Sequence, residues 1–142
     1  MLFVGEPSSI KKELQSIFST EYVTTAGLEG CDVVWNFENP PAMPDNSFDI
    51  VYSQAILEHI VNPFEHLLHL AALVKPGGYL AVHAASFLYL YHRCPVHTMN
   101  IFPDLIEIVA ERAGMNVVKR RYYLGVITYL LEKRHPPCQQ MK

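Results

Sequence analysis

The stretch "FDIVYSQAILEHIVNPFEHLLHLAALVKPGGYL", residues 48–80, decides the fold. Phe48 to Ser53 reads as an apolar strand broken only by Asp49, the pattern of a strand buried on both faces. Ala55 to Ile60 is too short and too near a proline for more than a turn or two of helix. Pro63 suits a first helical position, and Phe64, Leu67, Leu68, Ala71, Leu73 and Val74 then supply an inner face. Lys75-Pro76-Gly77-Gly78 stops that helix and turns the chain into a second strand, Tyr79 to His83.

The same alternation extends outward. Leu2-Phe3-Val4-Gly5 is a short apolar run ending in glycine. Ser8 or Ser9 is placed to cap a helix whose stripe is Ile10, Leu14, Ile17 and Phe18. Strands are expected at Tyr22 to Thr25 and Asp32 to Phe37, followed by a proline-rich loop from Glu38 to Ser47. Pro103 to Ala113 is a second clear helix, ending at Gly114. Val117–Tyr123 and Val126–Leu131 read as an antiparallel pair around Gly125. Strands alternating with helices predict an α/β sandwich with a mainly parallel sheet.

Composition narrows the function classes. The 142 residues suffice for one real core, and the expected division is a compact domain at 1–134 with a flexible tail at 135–142. A net charge of −3 and a single short basic run, Lys119-Arg120-Arg121, do not describe a nucleic-acid binder. Three widely spaced cysteines, Cys31, Cys94 and Cys138, support neither a disulfide framework nor a zinc ribbon, which fits a reducing cytoplasm. No uncharged apolar run approaches a membrane span, and no basic region precedes the N-terminal apolar stretch, so neither a membrane segment nor a signal peptide is expected. Gly-x-Gly-x-x-Gly, Gly-x-Ser-x-Gly and Walker-type loops are all missing from the sequence. His66 and His69 lie three apart on one helix, but no third ligand falls in register and no metal site is expected.

In a doubly wound sheet, ligands sit beyond the carboxyl ends of the strands, where the winding reverses. Gln54 to His59 follows the end of a buried strand directly, so this polar cluster is placed on the ligand edge.

"PDNSFDIVYSQAILEHIVNPFEHLLHLAALVKPGGYL" resembles the second half of class I S-adenosylmethionine-dependent methyltransferases, in particular the type-11-like domain. Acidic-Ser-Phe-Asp, Leu-Glu-His and Leu-Lys-Pro-Gly-Gly patterns recur there at matching places. "YLYHRCPVHTMNIFPDLIEIVAERAGMNVV" is similar, more loosely, to a segment of members associated with sugar or glycan methylation. The resemblance implies a Rossmann-like three-layer sandwich, a seven-stranded sheet with an antiparallel last strand, and S-adenosylmethionine across the central strand ends.

Three anchors depart from the family pattern. The turn after the first strand, Gly5-Glu6-Pro7-Ser8-Ser9, holds one glycine where the family usually has two or three. The second strand ends without its usual acid, Glu29 being the nearest downstream. The third strand's usual Asp is Asn36, which could bond adenine through its carbonyl oxygen. Expected cofactor contacts are therefore Gly5, Glu6, Asn36, Phe37, Gln54, Ala55 and Glu58.

Methyl transfer to a hydroxyl needs an aligned acceptor and a base. His59, in the Leu-Glu-His turn, and His92, after the fifth strand, are the candidate bases. Tyr89, Tyr91 and Arg93 form a candidate wall for a sugar-like acceptor. The expected function is methyl transfer from S-adenosylmethionine to a small-molecule or glycan acceptor, most simply at a hydroxyl. The alternative is a catalytically silent relative acting as a binding or scaffold module. A thinly covered sheet face predicts a homodimer or a partner subunit that completes the site.

Overall fold

The computed structural model describes residues 1–92 and 96–136. Its elements are β1 (Leu2–Val4), α1 (Lys11–Ile17), β2 (Thr24–Gly27), β3 (Val33–Val34), β4 (Phe48–Gln54), α2 (Pro63–Leu73), β5 (Val74–Ala85), α3 (Pro103–Arg112), β6 (Met115–Tyr123) and β7 (Val126–Lys133). The described residues form a seven-stranded sheet in the order β3-β2-β1-β4-β5-β7-β6. Strands β1 to β5 pair in parallel, and β7 runs antiparallel between β5 and β6. This is the Rossmann-like, mainly parallel sandwich with an antiparallel last strand that the sequence predicts. Because β1 pairs with both β2 and β4, the winding reverses at β1.

Alternation along each strand assigns the two faces. Leu2 and Val4 join Val51, Leu80, Val82 and Tyr129 in the larger core, which α2 and α3 close with Leu67, Leu70, Ile106 and Val109. Phe3 points the other way, into a small cluster with Leu14 and Val23, its ring 5.2 Å from Phe18 and 5.6 Å from Tyr52. Helix α2 starts where expected: Pro63 opens it and the Asn62 side chain accepts from the Glu65 N–H at 3.2 Å. Its other end is closed from across the chain. Lys133 Nζ, on β7, donates to the carbonyls of Ala71 (2.9 Å) and Val74 (2.8 Å) and to Asn46 Oδ1 (3.0 Å), meeting orphan acceptors of the last turn. Burial lowers the pKa of that ammonium below its ordinary value.

Several local expectations are corrected. β3 is two residues long rather than six: Trp35 leaves the ladder, its indole N–H donates to the Asn39 carbonyl at 2.8 Å, and its ring stacks 5.0 Å from His66. β2 begins at Thr24, two residues later than expected. Neither Ser8 nor Ser9 caps α1. They enter a 3-10 turn, Ser8–Ile10, and the Ser8 hydroxyl bonds Thr25 Oγ1 at 3.0 Å instead. Only Leu14 of the α1 residues is buried, so the expected stripe is narrower than its spacing implied. β5 begins at Val74, taking Lys75-Pro76-Gly77-Gly78 into the strand. Gly78 makes this feasible, since a Cβ there would lie 2.6 Å from the Asp49 carbonyl oxygen and 3.0 Å from that of Lys75. Asp49 itself pairs with Lys75 at 2.9 Å. From residue 137 onward the expected tail lies outside the described residues. No helix among the described residues is long and apolar enough to cross a membrane.

Candidate active site

The site begins at the winding reversal. Gly5, immediately after β1, takes a left-handed φ of +93°, and its N–H donates to the Ala26 carbonyl at 2.9 Å. The turn after it is tied by side chains. The Ser8 N–H donates to the Gly30 carbonyl at 2.7 Å, and Asp32 Oδ2 accepts from the Thr25 N–H and from Lys11 Nζ, each at 2.9 Å. The Lys11 ammonium, then the Thr25 amide, hold the Asp32 carboxyl below the usual carboxylate range. A network of Ser8, Lys11, Thr25 and Asp32 thus shapes a turn that the family shapes with glycines.

Beyond the carboxyl ends of β1, β2 and β4 opens a cavity of about 540 Å³. Leu28, Phe37, Ile56 and Ile60 give apolar walls, and Glu29, Asn36, Glu38 and His59 give polar ones. Gly5 and Ala55 line it as expected, Ala55 with a positive φ of 51° that marks a tight turn off β4. Asn36 and Phe37 line it too. The Asn36 Oδ1 accepts from the Glu38 N–H at 3.1 Å, which leaves one lone pair of that oxygen and the amide NH₂ open to a ligand.

Glu6, Gln54 and Glu58 do not line this cavity. The Glu6 carbonyl accepts from the Cys31 thiol at 3.3 Å, and Gln54 Oε1 accepts from the Tyr52 hydroxyl at 2.6 Å. Glu58 is 2% exposed, and its Oε2 finds no partner among the described residues. Its backbone carbonyl does: it accepts from both the N–H (2.7 Å) and the hydroxyl (3.0 Å) of Thr98, pinning the segment after β5 to the Leu-Glu-His turn. Burial pushes the Cys31 thiol pKa above its ordinary value. No cluster of three or more metal-ligating side chains occurs among the described residues.

A second cavity, about 530 Å³, is lined by Leu88, Tyr89, Leu90, Tyr91, His92 and Leu124. The candidate acceptor residues Tyr89 and Tyr91 are therefore together; Arg93 lies outside the described residues. The two candidate bases touch across the space between the cavities, His92 Nε2 lying 3.4 Å from His59 Nε2. Sequence reading missed two members of this group. His97 Nδ1 is 3.1 Å from His92 Nδ1, and His97 Nε2 is 2.8 Å from Asn100 Oδ1. The five-residue spacing of His92 and His97 in an irregular segment was the available signal.

A methyltransferase-domain family model matches residues 17–82. Over those residues the chain is similar to the methyltransferase-domain family. Over 45 residues it is 42% identical to an uncharacterised methyltransferase of Schizosaccharomyces pombe; the match spans 32% of the chain and 16% of that protein's length. The fold is similar to an S-adenosylmethionine-dependent methyltransferase from Archaeoglobus fulgidus, at TM-score 0.73 and 16% identity over 93% of this chain and 85% of that one. It is also similar to one from Mesorhizobium loti, at TM-score 0.72 and 10% identity over 93% and 89%. A third neighbour belongs to a complex of a Haloferax volcanii methyltransferase activator with a methyltransferase, at TM-score 0.68 and 14% identity over 94% and 82%.

S-adenosylmethionine is the cofactor that this similarity implies, and the cavity lining fits it. The cavity volume lies within the range of about 300–1,000 Å³ typical of small-molecule sites. Leu28, Phe37 and Ile60 offer apolar walls to an adenine, and the Glu29 carboxylate, two residues past β2, offers an acceptor to ribose hydroxyls.

Proposed function

We propose that this chain transfers a methyl group from S-adenosylmethionine to a hydroxyl of a small-molecule or sugar-like acceptor. The cofactor would lie in the cavity at the ends of β1, β2 and β4, the acceptor in the cavity walled by Tyr89 and Tyr91. One observation carries the reading: His59 lines the first cavity, His92 lines the second, and the two rings are in contact. A base is needed where the acceptor hydroxyl meets the methyl donor, and the pair of imidazoles between the two cavities would supply it.

Bound in the first cavity, the cofactor supplies an electrophilic methyl on a sulfonium. The chain's own residues then have three tasks. Gly5, Phe37 and Glu29 hold the cofactor, the aromatic wall orients the acceptor, and His59 with His92 receives the hydroxyl proton. Alignment is the larger contribution, since a preorganised reacting pair avoids most of the entropy cost of encounter. Partner binding belongs to the same proposal. On the α1 side of the sheet, Tyr79, Ala81, His83, Thr128 and Leu130 are only half-buried, which suits a second copy of this chain. A monodisperse monomer in light scattering at tens of micromolar would remove the dimer.

The test is calorimetric titration of purified protein with S-adenosylhomocysteine. Micromolar binding, about −8 kcal/mol, is the expected result. No heat and no thermal stabilisation at millimolar ligand would overturn the cofactor assignment. With an acceptor in hand, His59→Ala and His92→Ala should each lower turnover about 100-fold. Unchanged turnover in both would remove the proposed base.

A further inference from the structure

The hydrogen bonds around the histidines fix where each ring keeps its proton. His59 Nδ1 meets the Val96 carbonyl oxygen, which can only accept, so neutral His59 carries its proton on Nδ1 and leaves Nε2 bare. His97 Nε2 meets Asn100 Oδ1, also an acceptor, so neutral His97 carries its proton on Nε2. The remaining nitrogen of His97 then accepts, and the 3.1 Å contact makes His92 the donor through Nδ1. Neutral His92 is left with a bare Nε2. That atom lies 3.4 Å from the bare Nε2 of His59. The spacing is longer than the usual reach of about 2.7–3.2 Å for an N–H donor. Two lone pairs face each other with no proton between them.

We propose that His59 and His92 act as one base, two converging Nε2 atoms that share a single captured proton, and that His97 and Asn100 are positioning residues that set the tautomer of His92. Adding one proton converts the facing lone pairs into an N–H···N bond, charge-assisted and shorter than the open contact. Under the methyl-transfer reading, on which the catalytic role rests, the balance is simple. The acceptor O–H bond breaks, the oxygen forms its bond to the methyl carbon, the carbon–sulfur bond breaks, and the proton passes to the paired nitrogens. Tyr89 stands with its ring 5.6 Å from His92, and Tyr91 stands 5.7 Å from His97. Among the described residues no carboxylate bonds any of the three imidazoles, so the captured charge has no fixed anion beside it. The pair sits at the seam of the two cavities, where a proton released on methylation first appears.

The test reads ring tautomers in the isotopically labelled full chain by nitrogen–proton correlation spectroscopy at alkaline pH. Both His59 and His92 should carry the proton on Nδ1, against the Nε2–H form that free histidine prefers. Asn100→Leu removes the terminal acceptor and should reverse the relay, His92 taking its preferred Nε2–H form and donating to the bare Nε2 of His59 while His97 donates to His92 from Nδ1. It should also lower kcat about 10-fold while leaving the Kd for S-adenosylhomocysteine unchanged. Asn100→Asp, which can only accept, should restore both tautomers and rate. His92 found with its proton on Nε2 in the unmodified chain would overturn the proposal, as would tautomers untouched by Asn100→Leu. Expected tautomers together with no S-adenosylhomocysteine binding would leave the shared base standing and remove the methyl-transfer reading alone.

Discussion

Replacing His66 by phenylalanine should flatten the acid limb of the protein's stability. His66 lies on α2, 1% exposed, with its ring 5.0 Å from Trp35 and 5.2 Å from Phe37. Its Nδ1 donates to the Phe37 carbonyl at 3.2 Å, and its Nε2 has no partner among the described residues. Burial pushes its pKa from 6.5 down to about 4, against the pull of that carbonyl. The folded state therefore holds this ring neutral, whereas the unfolded chain protonates it near the ordinary value. Stability from this source is fully present above pH 6.5 and is lost as pH falls toward 4. The gap of roughly 2.5 between the two values corresponds to about 3 kcal/mol in full, about 2 kcal/mol of it gone by pH 5. Urea unfolding followed by Trp35 fluorescence at pH 7 and pH 5 measures the loss directly. The wild-type chain should lose about 2 kcal/mol more than His66→Phe over that interval. Equal losses in both would show that the ring already carries charge in the folded state, and the burial reasoning would fail.

Three further outcomes are expected. Gly78→Ala drives a methyl into the carbonyl oxygens of Asp49 and Lys75, both backbone, so thermal denaturation should show a loss of about 2–4 kcal/mol or more. Glu29→Ala removes the carboxylate offered to the ribose, and calorimetry with S-adenosylhomocysteine should show affinity falling about 10–100-fold at unchanged fold. Lys133→Met leaves the Ala71 and Val74 carbonyls without their donor and should cost about 1–3 kcal/mol in urea; an unchanged midpoint would mean that water replaces the ammonium.

What could be read in advance followed from periodicity. β4, α2 and β5 are contiguous runs whose side chains repeat with the period of the element they form, and the antiparallel pair at the end of the chain carries its own turn glycine. β3 was overestimated because Trp35 and Phe37 look like strand residues, whereas their rings pack on the buried imidazole of His66, about thirty positions away, and the Trp35 indole bonds the Asn39 carbonyl. The rule that ligands gather where winding reverses pointed to the sheet edge at which the cavity of about 540 Å³ opens. Its lining was less legible: Glu6 and Gln54 lie at strand ends, yet neither lines the cavity, and Gln54 Oε1 accepts from the Tyr52 hydroxyl instead. His97 and Asn100 belong to a segment with no repeating pattern, where proximity is decided by two hydrogen bonds from Thr98 to a carbonyl of the Leu-Glu-His turn.

The position of β7 between β5 and β6 has a consequence during synthesis. β5 is the longest strand, twelve residues, and one of its edges is satisfied only by β7, which is made 41 to 48 positions later, counting from Ala85 to Val126 and to Lys133. At about 5–20 residues per second a ribosome leaves that edge open for roughly 2–10 s. Over that interval an apolar strand offers unpaired amides to any neighbour. Nascent chains on one message are such neighbours, so the yield of folded protein should depend on how quickly the last hairpin is delivered. Synonymous codons that slow translation between residues 86 and 125 would lengthen the exposure without changing a single contact in the finished molecule.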